Sequence, residues 1–600
     1  MLHLLRTALS LPPREAARRA ARFAARMARE TVSTRRHRRR CSFEPACARL
    51  ARLPLPDVEA ETILAEDWLA HRFDLLGSGP VRVAHGETYA GFGRWRYGPG
   101  PALPADWRAA VAAQAWPANQ ARARAILDLI ADPYTPIDWH VDFKSGWRWS
   151  PRVWGPGTPY AHRPGVDVKV PWELARLQHL PALAAGGQVR EVRNQILDFL
   201  GANPPNWGVN WACAMDVAIR AANMAVAREL LLRGGHVLDD AFEAELAAGI
   251  LAHGRFIVAN LEWSEHHRGN HYLADLAGLA FVAASLAGDE AAAWTDLAAH
   301  GIDEEIRRQF LADGGNFEAS TAYHRLSLEM AEAAAALLAG LGRPLSPKAT
   351  DRLARARRFA QDTTLPSGRP LLVGDNDSGR FLGVRLPVAP PGPRPLFAAP
   401  MAAVAPAAPV RVVIVPPDPA ALAGLESVAY PDFGLYLWRN DRALIALRCG
   451  PIGQNGQGGH AHNDQLAVEI EIDGIPFARD PGTFVYTPDL AARNAWRSAL
   501  AHFVPRRGHL EPARLLAPFK LEDRARAELV HLDDSCAVAR HHGFGEPVWR
   551  RLAIAEGTVV VEDWPADAPA THVLRTPEAL AALWGITVPY APGYGVVSQA

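Results

Sequence analysis

Four polar clusters hold side chains suited to acid–base, anion-binding or metal chemistry. The first is Glu265-His266-His267-Arg268-Gly269-Asn270-His271-Tyr272, just ahead of a helix expected over 272–287. Asn270 there can cap the helix, or with His271 offer donors to an anion where free N–H groups and the helix dipole favour negative charge. The second is Asp313-Gly314-Gly315-Asn316-Phe317-Glu318-Ala319-Ser320 followed by Thr321-Ala322-Tyr323-His324. Ser320 or Thr321 is the expected cap, which puts Tyr323 in the first turn. A phenol there is expected to have its pKa lowered by the helix terminus and nearby cations, fitting it for proton transfer.

The third cluster is Gly456-Gln457-Gly458-Gly459-His460-Ala461-His462-Asn463-Asp464-Gln465, leading into an alternating strand. His-x-His on extended backbone puts both rings on one face, where they can share a metal or flank a substrate. The fourth is Arg479-Asp480-Pro481-Gly482-Thr483, with Ala501-His502 beyond. A hairpin at Asp473-Gly474 returns Asp480 to the neighbourhood of His462. His462, Asp480 and His502 then form a two-histidine, one-carboxylate set that suits Zn²⁺.

These residues need elements to position them. From about 55 to 365, apolar residues recur at helical spacing over 58–74, 106–131, 171–184, 188–200, 210–233, 239–260, 272–287, 290–312, 320–341 and 347–364. Such a series of helices joined by short turns predicts stacked hairpins, as a solenoid or a closed α/α toroid. Eleven prolines fall within 387–419, and the stretch reads as a linker. Strand patterns follow, the clearest being Leu466–Ile472 with its period of two. The layout predicts a basic arm over 1–40, a helical domain over 50–385, a proline-rich linker over 386–419 and an antiparallel β-sandwich over 420–600.

Charge is balanced overall, with 64 Lys+Arg against 64 Asp+Glu, but unevenly placed. Residues 1–40 hold twelve arginines and two glutamates. The arm reads as a basic amphipathic helix over 14–30, either a solvated arm packed loosely on its own body or one suited to an anionic membrane surface or an acidic protein partner. Its arginine run lacks interleaved aromatics, which argues against nucleic acid. The five cysteines make neither a disulfide framework nor a CxxC pattern. Without a convincing signal peptide the expected location is the cytoplasm, with the periplasm as the alternative.

The order of these pieces resembles the heparinase II/III-like polysaccharide lyases from about residue 130 onward. The matching stretches are Asn206-Trp207 through Met215, Ile219-Arg220 and Asn223; Gly269 to Tyr272; Asp313 to His324; Gly459-His460-x-His462-x-Asp464; Asp480 to Thr483; and Ala501-His502. The resemblance implies an α/α toroid followed by an antiparallel β-sandwich. It implies a carbon–oxygen lyase that cleaves a uronic-acid-containing anionic polysaccharide by β-elimination.

By the same resemblance, Asn270 binds the C5 carboxylate. Tyr323 removes the C5 proton or protonates the leaving oxygen, with His271 or His460 as partner base. Arg220, His324, Arg493 and Glu318 are implied substrate contacts, and His462, Asp480 and His502 a structural metal site. Many relatives have Asn after the last histidine, where this chain has Phe503. Three other readings stay open. One is a metal-dependent hydrolase built on His460-x-His462-x-Asp464. Another is a glycoside hydrolase using Glu262 and Glu318. The third is a non-catalytic glycan-binding protein.

Overall fold

The computed structural model describes residues 39–47, 50–59, 65–160, 162–265, 268–401, 409–565 and 569–598. The basic helix expected over 14–30 lies outside the described residues, as do His266 and His267.

The first half is helical. Short α1 (Ala65–Leu69), α2 (Trp107–Gln114) and α3 (Gln120–Leu127) lead into α4 (Lys169–Ala175), α5 (Leu180–Ala185) and α6 (Val189–Ala202). Then come α7 (Ala214–Arg233), α8 (Asp240–Ala259), α9 (Asn270–Ser285), α10 (Asp289–Gln309), α11 (Thr321–Gly340) and α12 (Pro347–Asp362). The single helix expected over 106–131 is two, because Trp116-Pro117 interrupts it: proline cannot donate to the ladder and clashes with the preceding turn. Over 58–74 the described helix is only α1, and His71 enters left-handed backbone before the small ladder of β1 (Arg72–Phe73) and β2 (Val81–Arg82).

The long helices close into an incomplete α/α toroid with α9 at its centre, packed on α7, α8, α10 and α11. Helix α9 is apolar almost all round, as a helix with protein on every side must be. His271 is its one residue that is not buried. Gly278 lets α9 press on α7, since a Cβ there would lie 2.4 Å from the Ala218 carbonyl oxygen.

The second half is a sandwich of two sheets. One has five antiparallel strands in sequence order: β4 (Glu426–Tyr430), β5 (Leu435–Arg439), β6 (Ala443–Arg448), β7 (Val468–Ile472) and β8 (Ile475–Ala478). The other contains β3 (Val410–Ile414), β11 (Glu528–Leu532), β12 (Cys536–Phe544), β13 (Glu546–Ala555), β14 (Thr558–Trp564) and β15 (Ala570–Leu574) in the order β11-β12-β13-β14-β3-β15. Every pairing is antiparallel except β3 with β15. Strand β3 falls inside the stretch read as linker, so the sandwich begins before residue 420. The facing rows pack Val412, Ile414, Trp438, Ile445, Ile470, Leu552 and Val561 into one core. A separate hairpin, β9 (Arg514–Ala517) with β10 (Lys520–Glu522), lies beside it. Helices α13 (Leu490–Trp496) and α14 (Pro577–Trp584) complete the domain.

Between the halves runs the segment 371–377. On one side Thr321 donates its N–H to the Val373 carbonyl and its hydroxyl to that of Leu371. On the other, Asp375 N–H donates to the His460 carbonyl and Asn376 N–H to Thr483 Oγ1. The strap therefore stitches the start of α11 to the sandwich.

Candidate active site

The site forms where the helix starts of the toroid meet the sandwich loops. Ser320 caps α11 as expected, its hydroxyl accepting from Tyr323 N–H at 3.1 Å. The α9 terminus is capped from outside the helix. Gly269 has no side chain to offer, and Glu318 accepts the Asn270 backbone N–H at 2.6 Å. A buried anion at this position satisfies an orphan donor and sits favourably at the positive end of the dipole. The same carboxylate accepts from Asn270 Nδ2 at 3.1 and 2.9 Å, leaving Asn270 Oδ1 as a buried acceptor without a partner among the described residues.

Glu318 also faces the sandwich, with Oε2 3.2 Å from His460 Nε2. The other ring nitrogen of His460 lies 3.1 Å from Asp375 Oδ2. Tyr323 stacks on that imidazole, centroid to centroid 3.7 Å. Asn270, Tyr323 and His460 are thus assembled as one cluster from two domains, through carboxylates that the separate motifs do not reveal. The expected lowering of the Tyr323 pKa is corrected. Burial raises it, and the carboxylates of Asp377 and Asp375 raise it further, well above the usual phenol value.

His271 points elsewhere. Its Nδ1 lies 2.8 Å from Glu262 Oε2, and Cys213 Sγ is 3.7 and 3.9 Å from the Glu262 carboxylate oxygens. Desolvation by the surrounding protein works to lower the His271 pKa although the side chain is half exposed, but Glu262 prevails and lifts it to about 9.

The four expected substrate contacts are placed differently. Arg220 is fully buried in the toroid, donating to His253 Nε2 at 2.9 Å and to the carbonyls of Ala175 and Asn210. His324 is core: it bonds the Ala356 carbonyl between Phe310 and Phe359, and burial pushes its pKa down to about 3. Arg493, from α13, is buried and grips both oxygens of Asp375. Glu318 is fully buried and occupied as described, which leaves it no free face for a sugar.

His460 and His462 diverge to two tasks on either side of Asp375. His462 Nε2 lies 3.0 Å from Asp375 Oδ1, which turns its Nδ1 toward His502 Nε2 at 3.3 Å. His502 Nε2 is 3.1 Å from Asp480 Oδ2. The β7–β8 hairpin does return Asp480 to this point, and all three residues are buried. The set fits a tetrahedral ion: Zn–ligand bonds of about 2.0–2.1 Å span ligand–ligand edges of about 3.3–3.4 Å. Each histidine has its distal nitrogen held, His462 by Asp375 and His502 by the Ser498 carbonyl at 2.8 Å. Such outer partners fix ring orientation and tautomer. Phe503 takes no part and packs into the sandwich core.

The residues of this cluster that sequence reasoning passed over lie mainly in Gly374-Asp375-Asn376-Asp377. A glycine followed by three polar residues was the available signal. Tyr486, also passed over, joins them at Tyr323, and Lys169, from a stretch the sequence marks as either sugar-lining or core, reaches Asp377.

A model of the heparinase II/III N-terminus matches residues 137–373, and one of the heparinase II/III-like C-terminal domain matches residues 423–568. The chain belongs to the heparinase II/III-like family. It is a polysaccharide lyase, and the family implies an anionic polysaccharide substrate. Similar solved structures include a heparinase III, 15% identical with TM-score 0.49, aligned over 77% of this lyase and 71% of that chain. Another is heparan sulfate lyase from Pedobacter heparinus, 16% identical with TM-score 0.42, over 74% and 68%. A third, a heparinase III gene product, is 15% identical with TM-score 0.45, over 68% and 67%. No curated protein matches the lyase in sequence.

Proposed function

We propose that this lyase cleaves a uronic-acid-containing polysaccharide by β-elimination, with Asn270, Tyr323 and a histidine as the reacting constellation. The observation that carries the reading is the Tyr323–His460 stack at 3.7 Å, joined to Asn270 through Glu318. The C5 proton of a uronate is weakly acidic until the charge on its carboxylate is neutralised. In this reading Asn270, at the start of α9, engages that carboxyl group, its Oδ1, which has no partner among the described residues, accepting a hydrogen bond from the carboxylic acid form. The base removes the C5 proton, the electron pair forms the C4=C5 bond, the C4–O bond breaks, and the leaving oxygen takes a proton from the acid. A phenol and an imidazole in contact can divide these two transfers.

His462, Asp480 and His502 hold a divalent ion, Zn²⁺ by the donor set, which when bound cross-links the sandwich wall of the cleft. The chain's own residues carry the reaction.

The glycoside hydrolase reading is disfavoured. It needs two carboxylates facing the sugar, and Glu318 is fully buried with its oxygens committed to Asn270 and His460.

The test is a panel of sulfated glycosaminoglycan, alginate and bacterial exopolysaccharide, followed by ultraviolet absorbance and product mass. Unsaturated products without added water are expected, with Tyr323→Phe and Asn270→Ala each lowering turnover about 10²-fold or more. Products carrying added water, or no unsaturated product from metal-replete protein, overturn the assignment.

A further inference from the structure

The hydroxyl of Tyr323 donates to Asp377 Oδ2 at 2.9 Å. That oxygen also takes Lys169 Nζ at 2.9 Å, while Oδ1 accepts the Gly379 N–H at 2.9 Å. All of this is buried: Asp377 is 6% exposed and Tyr323 5%. The lysine, one of only four in the chain, comes from the start of α4, and the carboxylate from the strap joining toroid to sandwich. The ammonium lies 5.9 Å from the Tyr486 ring centre and 5.4 Å from that of Tyr594, so its aromatic surroundings are also cation-binding. The Tyr486 hydroxyl is 3.1 Å from that of Tyr323. Tyr323 is therefore held on its face by His460 and at its oxygen by Asp377 and Tyr486.

A buried ion pair made only to join two elements needs no phenol, and a buried phenol needs only one acceptor. The convergence of both on one carboxylate oxygen calls for a further explanation. We propose that Asp377, clamped by Lys169, is a positioning residue of the elimination, fixing the Tyr323 hydroxyl as the proton donor to the leaving glycosidic oxygen. This rests on the reading of Tyr323 as a reacting group and decides between its two roles. Lys169 and Arg176 hold Asp377 well below the usual carboxylate range against the effect of burial, so the carboxylate does not take the phenolic proton. The proton stays on Tyr323, and rotation about its C–O bond redirects it to the departing oxygen. The C5 proton goes to the histidine, and solvent later restores the phenol. The charged and titratable groups facing Tyr323 are Asp377, Asp375, Tyr486, Lys169, Arg493 and His460.

The experiment compares wild type with Asp377→Asn, Asp377→Glu and Tyr323→Phe as full-length proteins, each checked for its folded circular dichroism spectrum. Turnover on the polymer found by the glycan panel should fall about 10²-fold in D377N with KM little changed. The alkaline limb of the pH–rate profile should move down by about one unit or more, because the charge that raises the phenol has gone while Lys169 remains. D377E, which keeps the charge but displaces it by a methylene, should keep the alkaline limb and lose part of the turnover. Independently of substrate, ultraviolet phenolate titration, read as the difference between D377N and D377N/Y323F, should show Tyr323 ionising at lower pH than in wild type. A folded D377N with wild-type turnover and titration overturns the inference. If D377N does not fold, full turnover in D377E does the same. An active Y323F sinks the underlying role of Tyr323 instead, so the two failures are distinct.

Discussion

Glu318 Oε2 lies 3.2 Å from His460 Nε2, and through that contact the cap of a toroid helix becomes the neighbour of a sandwich imidazole. The carboxylate serves Asn270 and His460 together, so its charge sets how both present themselves. Replacing Glu318 with Gln keeps the volume and the acceptor for the Asn270 N–H but removes the charge facing His460. Turnover is expected to fall about 10²-fold, with the melting temperature lowered only slightly. Steady-state kinetics beside thermal unfolding checks this, and an unchanged turnover would show the contact to be structural alone.

Asp375 receives His460, His462 and both Arg493 nitrogens in a fully buried position. Asp375→Ala leaves the Arg493 guanidinium uncompensated and should cost about 3–5 kcal/mol in denaturant unfolding. Asp375→Asn keeps the shape and should cost less. It should still weaken Zn²⁺ retention about 10- to 100-fold through loss of the outer carboxylate on His462. Equilibrium dialysis reads this directly.

Metal removal gives a separate check. Stripping the protein with a chelator should lower its melting temperature, and adding Zn²⁺ should restore it, because His462, Asp480 and His502 come from three separate segments. His502→Ala should abolish the chelator response. Protein purified without metal and indifferent to both treatments would remove this site from the account.

His271 tests the choice of base by pH. Its pKa, lifted to about 9 by Glu262, lies above the ordinary histidine value of 6.5. Its charged form is therefore favoured in the folded state. The stability it adds is complete below about 6.5 and is lost as pH rises toward 9. If His271 is the base, turnover should rise with an acid limb near pH 9, and Glu262→Gln should bring that limb down. A limb well below this, unmoved by E262Q, leaves the base role to His460.

Gly374 has φ +68°, and a Cβ there would lie 2.5 Å from the His460 carbonyl oxygen. Gly374→Ala should cost about 1–2 kcal/mol for the left-handed conformation alone, with more for the clash. It should also lower turnover by pushing the strap off His460. Chemical denaturation and kinetics should move together.

Periodicity and turn chemistry made much of this protein legible in the sequence. The long helices, the alternating β7, the Asp473-Gly474 hairpin and the Ser320 cap follow from local rules. The polar clusters marked the neighbourhood of the site, because glycine-flanked histidines and asparagines serve poorly as core. Tertiary structure decided what those residues do. Arg220 and His324 sit in apolar helix faces, so they became core groups. Glu318 went to cap a helix forty-eight residues earlier in the chain. The two histidines of one motif parted because Asp375, from the strap between the halves, took one nitrogen of each. Hydrogen-bond partners across such separations are set by packing, and no local pattern encodes them.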